Sequence, residues 1–450
     1  MSASTAIFAG AFLLAQTSAL VPPAAANNGT QIATCAWPLK TTVDTLNVAF
    51  PDASAVYWTT PFTVTGNLKE IIVEGKFTDA RYISVNGYNN SGSSYTCGGR
   101  ESGLADFRIE ADAGSVNPFQ QAAPAGGEFT VSVARSPGDA SSANFMPLPA
   151  TTCQPLPSKG KVPTNVGFLV FRAYLPTGGA EAVELPTLWL RNGKAPPVPL
   201  PACTSDDGAR TVSTTRWPPE LPVPLIKRAI IEVQPCGRPG AQACPADLVF
   251  FRPTDGATGG LFPNTDNKYV GALVRPKARK LVVVRARGAS FPAGTSPAPW
   301  PSTADLRYWS MCSNVYRRPW PVVTVEDHGV EIVGCAADLE TSRTSGGYYT
   351  YVVSRLGDRP APAVLRRNHA VWLPFSQNEP NARHLLILRN MLGDDFKPSV
   401  QNCAPGADAA AIARCEATMR AYYPEAAECA VATFVRGGTS ACFAEYRRQR

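Results

Sequence analysis

The sequence predicts a mainly β protein: two tandem antiparallel β-sandwich or jelly-roll domains, then a small helical tail stapled by disulfides. Three observations lead there. Pro (42) and Gly (36) are both abundant in 450 residues, which leaves little room for long helices. The apolar segments are short, rich in β-branched and aromatic side chains, and bounded by Pro, Gly, Asn and Ser, the signature of strands. Six landmarks also recur in the same order in two halves of the chain.

Residues 1–26 read as a secretory signal. Ile7 to Leu14 is its apolar centre and Ala24-Ala25-Ala26 a small-residue cleavage site, although Met1 to Thr5 lacks Lys and Arg. The first sandwich is expected over 27–195. It opens Phe50-Pro51-Asp52, with Tyr57 five residues after Asp52. Ile71-Ile72-Val73 follows, then Asp79 to Ser84, Phe129 to Arg135, Phe145-Met146-Pro147 and Phe168 to Arg172 with Leu175. Residues 194–225 hold eight Pro. Pro cannot donate to a ladder, so 196–225 is expected to run as a stiff connector. The second sandwich, 226–400, repeats the order. It opens Phe262-Pro263-Asn264 with Tyr269, then shows Leu281 to Val284, Asp305 to Ser310, Tyr349 to Arg355, Trp372-Leu373-Pro374, and Leu385 to Arg389 with Leu392. From 401 to 450 the chain turns Ala-rich, and two or three short helices are expected. Helices this short are marginal alone, so disulfides would hold them.

The twelve Cys support this division. They fall into Cys35, Cys97, Cys153, Cys203; Cys236, Cys244, Cys312, Cys335; and Cys403, Cys415, Cys429, Cys442. Pairing within each group is expected. No C-x-x-C occurs, so zinc is poorly supported and neither metal nor cofactor is expected. Structural disulfides and the leader place the protein in the periplasm or outside the cell. No later apolar stretch is long enough to span a bilayer. The net charge is +7, but the basic residues, 31 of 42 of them Arg, are scattered, which argues against nucleic acid.

The strands Arg81 to Ser84 and Arg307 to Ser310 carry one pattern. Asn144 to Pro147 and Val371 to Pro374 carry a second, Phe171 to Tyr174 and Leu388 to Leu392 a third. In that order they resemble the bacterial family carrying the domains of unknown function numbered 1254 and 1214, the match being to the latter, in two copies. The resemblance implies a β-sandwich or jelly roll and no agreed chemistry, so it assigns no catalytic residue.

Motifs for a serine hydrolase elbow, a zinc protease, a P-loop and a dinucleotide fold are all missing. What remains are constellations. Arg81 and Arg307, near Asp79 and Asp305, suit a pocket for a carboxylate, sulfate or uronic acid, or an internal ion pair fixing strand ends. Trp217, Trp300 and Trp320 each touch Pro; a rigid ring can carry the apolar face of a sugar or plug the end of a sandwich. Glu326, Asp327, His328 and His369 are the catalytic candidates, with Asp338, Asp394 and Asp395 as further loop carboxylates. Solvated loop residues are the plainer reading. His384 adjoins an apolar strand and reads as structural. A calcium site at Asp394-Asp395, or at Asn264 with Asp266, lacks EF-hand spacing. The expected function is therefore an exported binding protein of the envelope or extracellular space, with a glycan or other envelope polymer as candidate partner. The alternative is a secreted polysaccharide hydrolase or lyase using loop carboxylates of the second domain. Two carboxyls about 5–10 Å apart in one cleft would favour the enzyme; a cleft of Arg and aromatics would favour binding.

Overall fold

The computed structural model describes residues 33, 35–64, 67–90, 92–135, 143–149, 166–203, 236–237, 243–253 and 262–449. The leader, Cys153, Trp217 and most of the Pro-rich connector lie outside these residues. The first half holds β1 (Leu39–Thr41), β2 (Ala55–Thr63), β3 (Leu68–Lys76), β4 (Ala80–Tyr88), the small hairpin β5 (Thr96–Cys97) and β6 (Arg100–Glu101), and β7 (Gly103–Ala105). Then come β8 (Glu128–Ala134), β9 (Phe145–Pro147), β10 (Val166–Pro176), β11 (Thr187–Asn192) and β12 (Val198–Pro199). These make two sheets, β1-β2-β10-β4-β7 and β12-β11-β3-β8-β9.

The second half contributes β13 (Asn267–Val274), β14 (Lys280–Arg287), β15 (Tyr308–Val315), the hairpin β16 (Thr324–Asp327) and β17 (Val330–Val333), and β18 (Cys335–Ala337). It continues with β19 (Tyr348–Ser354), helix α1 (Pro362–Arg367), β20 (Ala370–Pro374) and β21 (His384–Met391). Helix α2 (Ala409–Met419), β22 (Glu425–Ala430) and helix α3 (Val431–Gln449) complete it. Its sheets are β13-β21-β15-β18 and β20-β19-β14-β22. The order β2-β10-β4-β7 thus matches β13-β21-β15-β18, and β3-β8-β9 matches β14-β19-β20. Among the described strands pairing is antiparallel except β8 with β9 and β19 with β20, which run parallel in both halves.

Each half closes its own core. Val73, Phe77, Ile83, Phe129 and Phe171 pack in the first; Val284, Trp309, Tyr351 and Leu388 pack in the second. Full burial of such side chains contributes about 1.5–3 kcal/mol each. A further cluster joins Tyr82, Ala105 and Tyr174 to Tyr308, Ala337 and Met391, so the inner sheets of the halves face one another. This explains why all nine residues of β4 and all eight of β15 and of β21 are buried, with Arg, Ser and Asn among them. A strand covered on one face alone would alternate.

One boundary moves. The connector does not begin at 196: β12 pairs with β11, and Cys203 is bonded to Cys35, so residues up to 203 belong to the first sandwich. Pro is admitted there because β12 is an edge strand. The tail has the expected helices and disulfides, and it also docks on the second sandwich. Its strand β22 pairs with β14, and Phe434 and Cys442 of α3 cover Leu281 and Val283. The unpaired edge of β14 is what the tail satisfies. The described disulfides are Cys35–Cys203, Cys236–Cys244, Cys312–Cys335, Cys403–Cys415 and Cys429–Cys442, each inside its expected group. Among the described residues no helix is long and apolar enough to cross a membrane.

Candidate functional site

The expected Arg pocket is not at a surface. Arg81 and Arg307 are fully buried in the seam between the halves, at the starts of β4 and β15. Arg81 Nη1 donates to Asp338 Oδ1 at 2.6 Å, across the seam; Arg307 Nη2 lies 3.3 Å from Asp106 Oδ2, crossing the other way. Each acid also anchors the strand of its own half: Asp106 accepts from the Ile83 amide at 2.8 Å and Asp338 from the Trp309 amide at 3.1 Å. Arg307 Nε and Nη2 further donate to the Arg81 carbonyl. Burial raises both carboxyls to about 6, against the pull of the guanidiniums. Fully buried and paired with carboxylates across the seam, these Arg hold the halves together and present no open fork to a glycan. Asp79 and Asp305 are not their partners; Asp305 instead receives the Ser290 amide.

The Trp residues serve the same seam. Trp320 is 3% exposed and stacks on Phe50 with ring centroids 5.5 Å apart, while the Phe50 amide donates to the Trp320 carbonyl. Half-buried Trp300 donates its amide to Phe119 of the first half and lies under the Arg307 guanidinium at 5.5 Å. A sugar platform needs an open ring face, which the seam takes from both.

Among the described residues an open groove lies in the second half. A groove of about 530 Å³ is lined by Asp327 and His328 of the β16–β17 turn, Arg355 and Arg359 after β19, and Phe375 and Gln377 after β20. The turn is a two-residue hairpin loop in which His328 (φ 53°) and Gly329 (φ 81°) are both left-handed. It thrusts His328 into solvent, 98% exposed, with Nε2 3.8 Å from Asp327 Oδ1. Arg359 Nη1 meets Asp327 Oδ2 at 3.2 Å, and its guanidinium covers the Trp372 ring at 4.6 Å. Arg355 Nη2 donates to the Pro380 carbonyl at 3.1 Å, leaving Nε buried without an acceptor. Glu326, adjacent and exposed, is tied through its backbone to Gln377.

The other candidates disperse. His369 is exposed at the end of α1 in a left-handed conformation, and is not part of the groove lining. His384 is buried; its Nε2 accepts from the Ser376 amide at 3.0 Å and burial lowers its pKa to about 4. That bond occupies the lone pair a general base would need, so His384 does not activate Ser376. Asp338 is spent in the seam. Asp394 and Asp395 are exposed, while Asn264 and Asp266 accept the Tyr82 hydroxyl. Asp52, Cys312 and Cys335 converge, but the two Cys are bonded to each other and offer no thiolate.

Sequence reasoning missed Asp106, Asp52, Arg355 and Arg359. Ala105-Asp106 and Ala337-Asp338 repeat at matching points, so a finer comparison of the halves carried that signal. Of the groove, the sequence offered Asp327 and His328; Arg355, Arg359 and Gln377 carried no signal, because the lining comes from three separated loops.

No family model matches the chain, and no curated protein matches it. Among solved structures, an uncharacterized protein from Burkholderia cenocepacia is similar at 12% identity and a TM-score of 0.47, covering 88% of this chain and 82% of that one. A protein from Vibrio parahaemolyticus is similar at 12% identity and a TM-score of 0.37, covering 84% and 89%.

Proposed function

We propose that this is an exported binding protein of the cell envelope or extracellular space, and that the groove beside Arg355 and Arg359 takes an acidic glycan. The observation that carries the reading is the lining: two guanidiniums against one carboxylate, Asp327, already paired with Arg359, over a floor made by the buried Phe375. Guanidinium forks suit carboxylate and sulfate groups. The rival, a polysaccharide hydrolase or lyase, needs a second carboxyl about 5–10 Å away in the same cleft; the lining includes one. Export is supported by the leader and the disulfides. The matching strand orders support descent of both sandwiches from one copied module, and the strand motifs support kinship with the family carrying domain 1214.

The test is retention of the oxidised protein on immobilised polygalacturonate, alginate and a sulfated glycan against neutral dextran, with reducing ends assayed in the eluate. Retention on acidic supports, weakened by salt, without release of new ends is expected. Equal retention on dextran, or steady release of ends, would overturn the proposal.

A further inference from the structure

Arg172 and Arg389 occupy matching places. Arg172 on β10 stands opposite Ser84 and Tyr57; Arg389 on β21 stands opposite Ser310 and Tyr269. Each reaches across the seam to the opening turn of the other half. Arg389 Nη2 donates to the Phe50 carbonyl at 2.7 Å, and Arg172 Nη2 donates to the Phe262 carbonyl and to the Tyr88 hydroxyl. Each also keeps a buried Nη1 without an acceptor, and there the likeness ends. Beyond Phe50 comes Asp52, fully buried, whose Oδ2 lies 3.7 Å from Arg389 Nε and which also receives the Tyr308 and Ser310 hydroxyls. Beyond Phe262 the same place is filled by Asn264, which carries no charge.

Arg172 is therefore a fully buried guanidinium with no carboxylate within ion-pair distance among the described residues. Its Nε and Nη1 have no acceptor, and neither has the buried Asn264 Nδ2. The faces of Tyr57 and Tyr88 lie 5.6 and 5.5 Å from it, but ring faces leave those N–H groups without a directed acceptor. Asp266, the nearby acid, is engaged by the Tyr82 hydroxyl at 2.5 Å. A buried charge left this way is costly unless something answers it.

We propose that the seam binds a small monoanion, a halide or a carboxylate group, on Arg172 Nε and Nη1 with Asn264 Nδ2, doing for Arg172 what Asp52 does for Arg389. The site is separate from the surface groove and does not rest on the glycan reading. The bound anion clamps the halves, so it acts on stability.

The test uses the oxidised full chain. Melting is followed at fixed ionic strength as gluconate, whose carboxylate is carried on a body too large for the closed seam, is exchanged for chloride, bromide or formate, in wild type and in Asn264→Asp. Wild type should gain about 2 °C or more with a saturable dependence on the small anion. Halide against formate identifies the source, and Asn264→Asp should lose the dependence because it supplies its own carboxylate. Equal responses of the two proteins, or none in wild type, would overturn the site. Should Asn264→Asp fail to fold, crystals of wild type soaked in bromide decide: an anomalous peak in contact with Arg172 supports the site, and its absence overturns it.

Discussion

Arg81 of the first sandwich donates to Asp338 of the second at 2.6 Å, and their counterparts, Arg307 and Asp106, make the same pairing in reverse at 3.3 Å. The exchange sets two independently closed cores into one body. Removing one partner strands the other in a dry seam. Asp338→Asn should therefore destabilise by about 3–5 kcal/mol. The apolar double variant Arg81→Met with Asp338→Leu should recover much of that loss. Urea unfolding of both, against wild type, checks the order.

His384 sets an acid limb. Its folded pKa of about 4 lies below the unfolded 6.5, so the unfolded chain takes up the proton first. Stability is present above pH 6.5 and is lost as the pH falls towards 4, by up to about 3 kcal/mol. Asp106 and Asp338 act with the opposite sign. Raised from 3.8 to about 6, they favour the folded state as the pH falls through that interval. The difference between wild type and His384→Gln at each pH isolates the histidine. A difference that does not change from pH 7 to 4.5 would contradict its role.

The disulfides should rank by the chain they close. Cys35–Cys203 joins residues 168 apart and Cys236–Cys244 residues 8 apart. Loop-closure entropy gives about 5 kcal/mol for the first and about 2.5 for the second. Paired Ser replacements, compared by denaturant midpoint, should reproduce that order.

Gly438 breaks α3 with φ 65°, and a Cβ there would lie 2.0 Å from Asn368 Oδ1. Gly438→Ala should lower the melting temperature by several degrees, through both the left-handed backbone and the clash. Adding Asn368→Ala should return part of it, the portion due to the clash.

The strands were legible because each half repeats short apolar segments, rich in β-branched and aromatic residues, between breakers; Phe129 to Arg135 and Tyr349 to Arg355 both fall on matching strands. The helical spacing after Asp408 was legible too, with Asp408 capping α2 through the Ala411 amide. What stayed hidden was how the sandwiches meet. Periodicity reports that a face is covered, not by what, so Arg81 and Arg307 read as a pocket or, in preference, as an internal ion pair. Trp300 and Trp320 read as sugar platforms or as plugs of a sandwich end for the same reason. Of the groove, Asp327 and His328 were legible as a loop pair, and the residues that face them were not. Asp327, Arg355 and Gln377 are distant in sequence, and only the packing of three loops brings them together.

The glycan reading is tested most directly by calorimetric titration of an oligogalacturonate into wild type and into Arg355→Ala with Arg359→Ala, both oxidised and shown to be folded by circular dichroism. Binding by wild type with a loss of tenfold or more in the double variant, about 1.4 kcal/mol, is predicted. Equal affinity in the two proteins, or equal affinity of wild type for a neutral oligosaccharide, would contradict it.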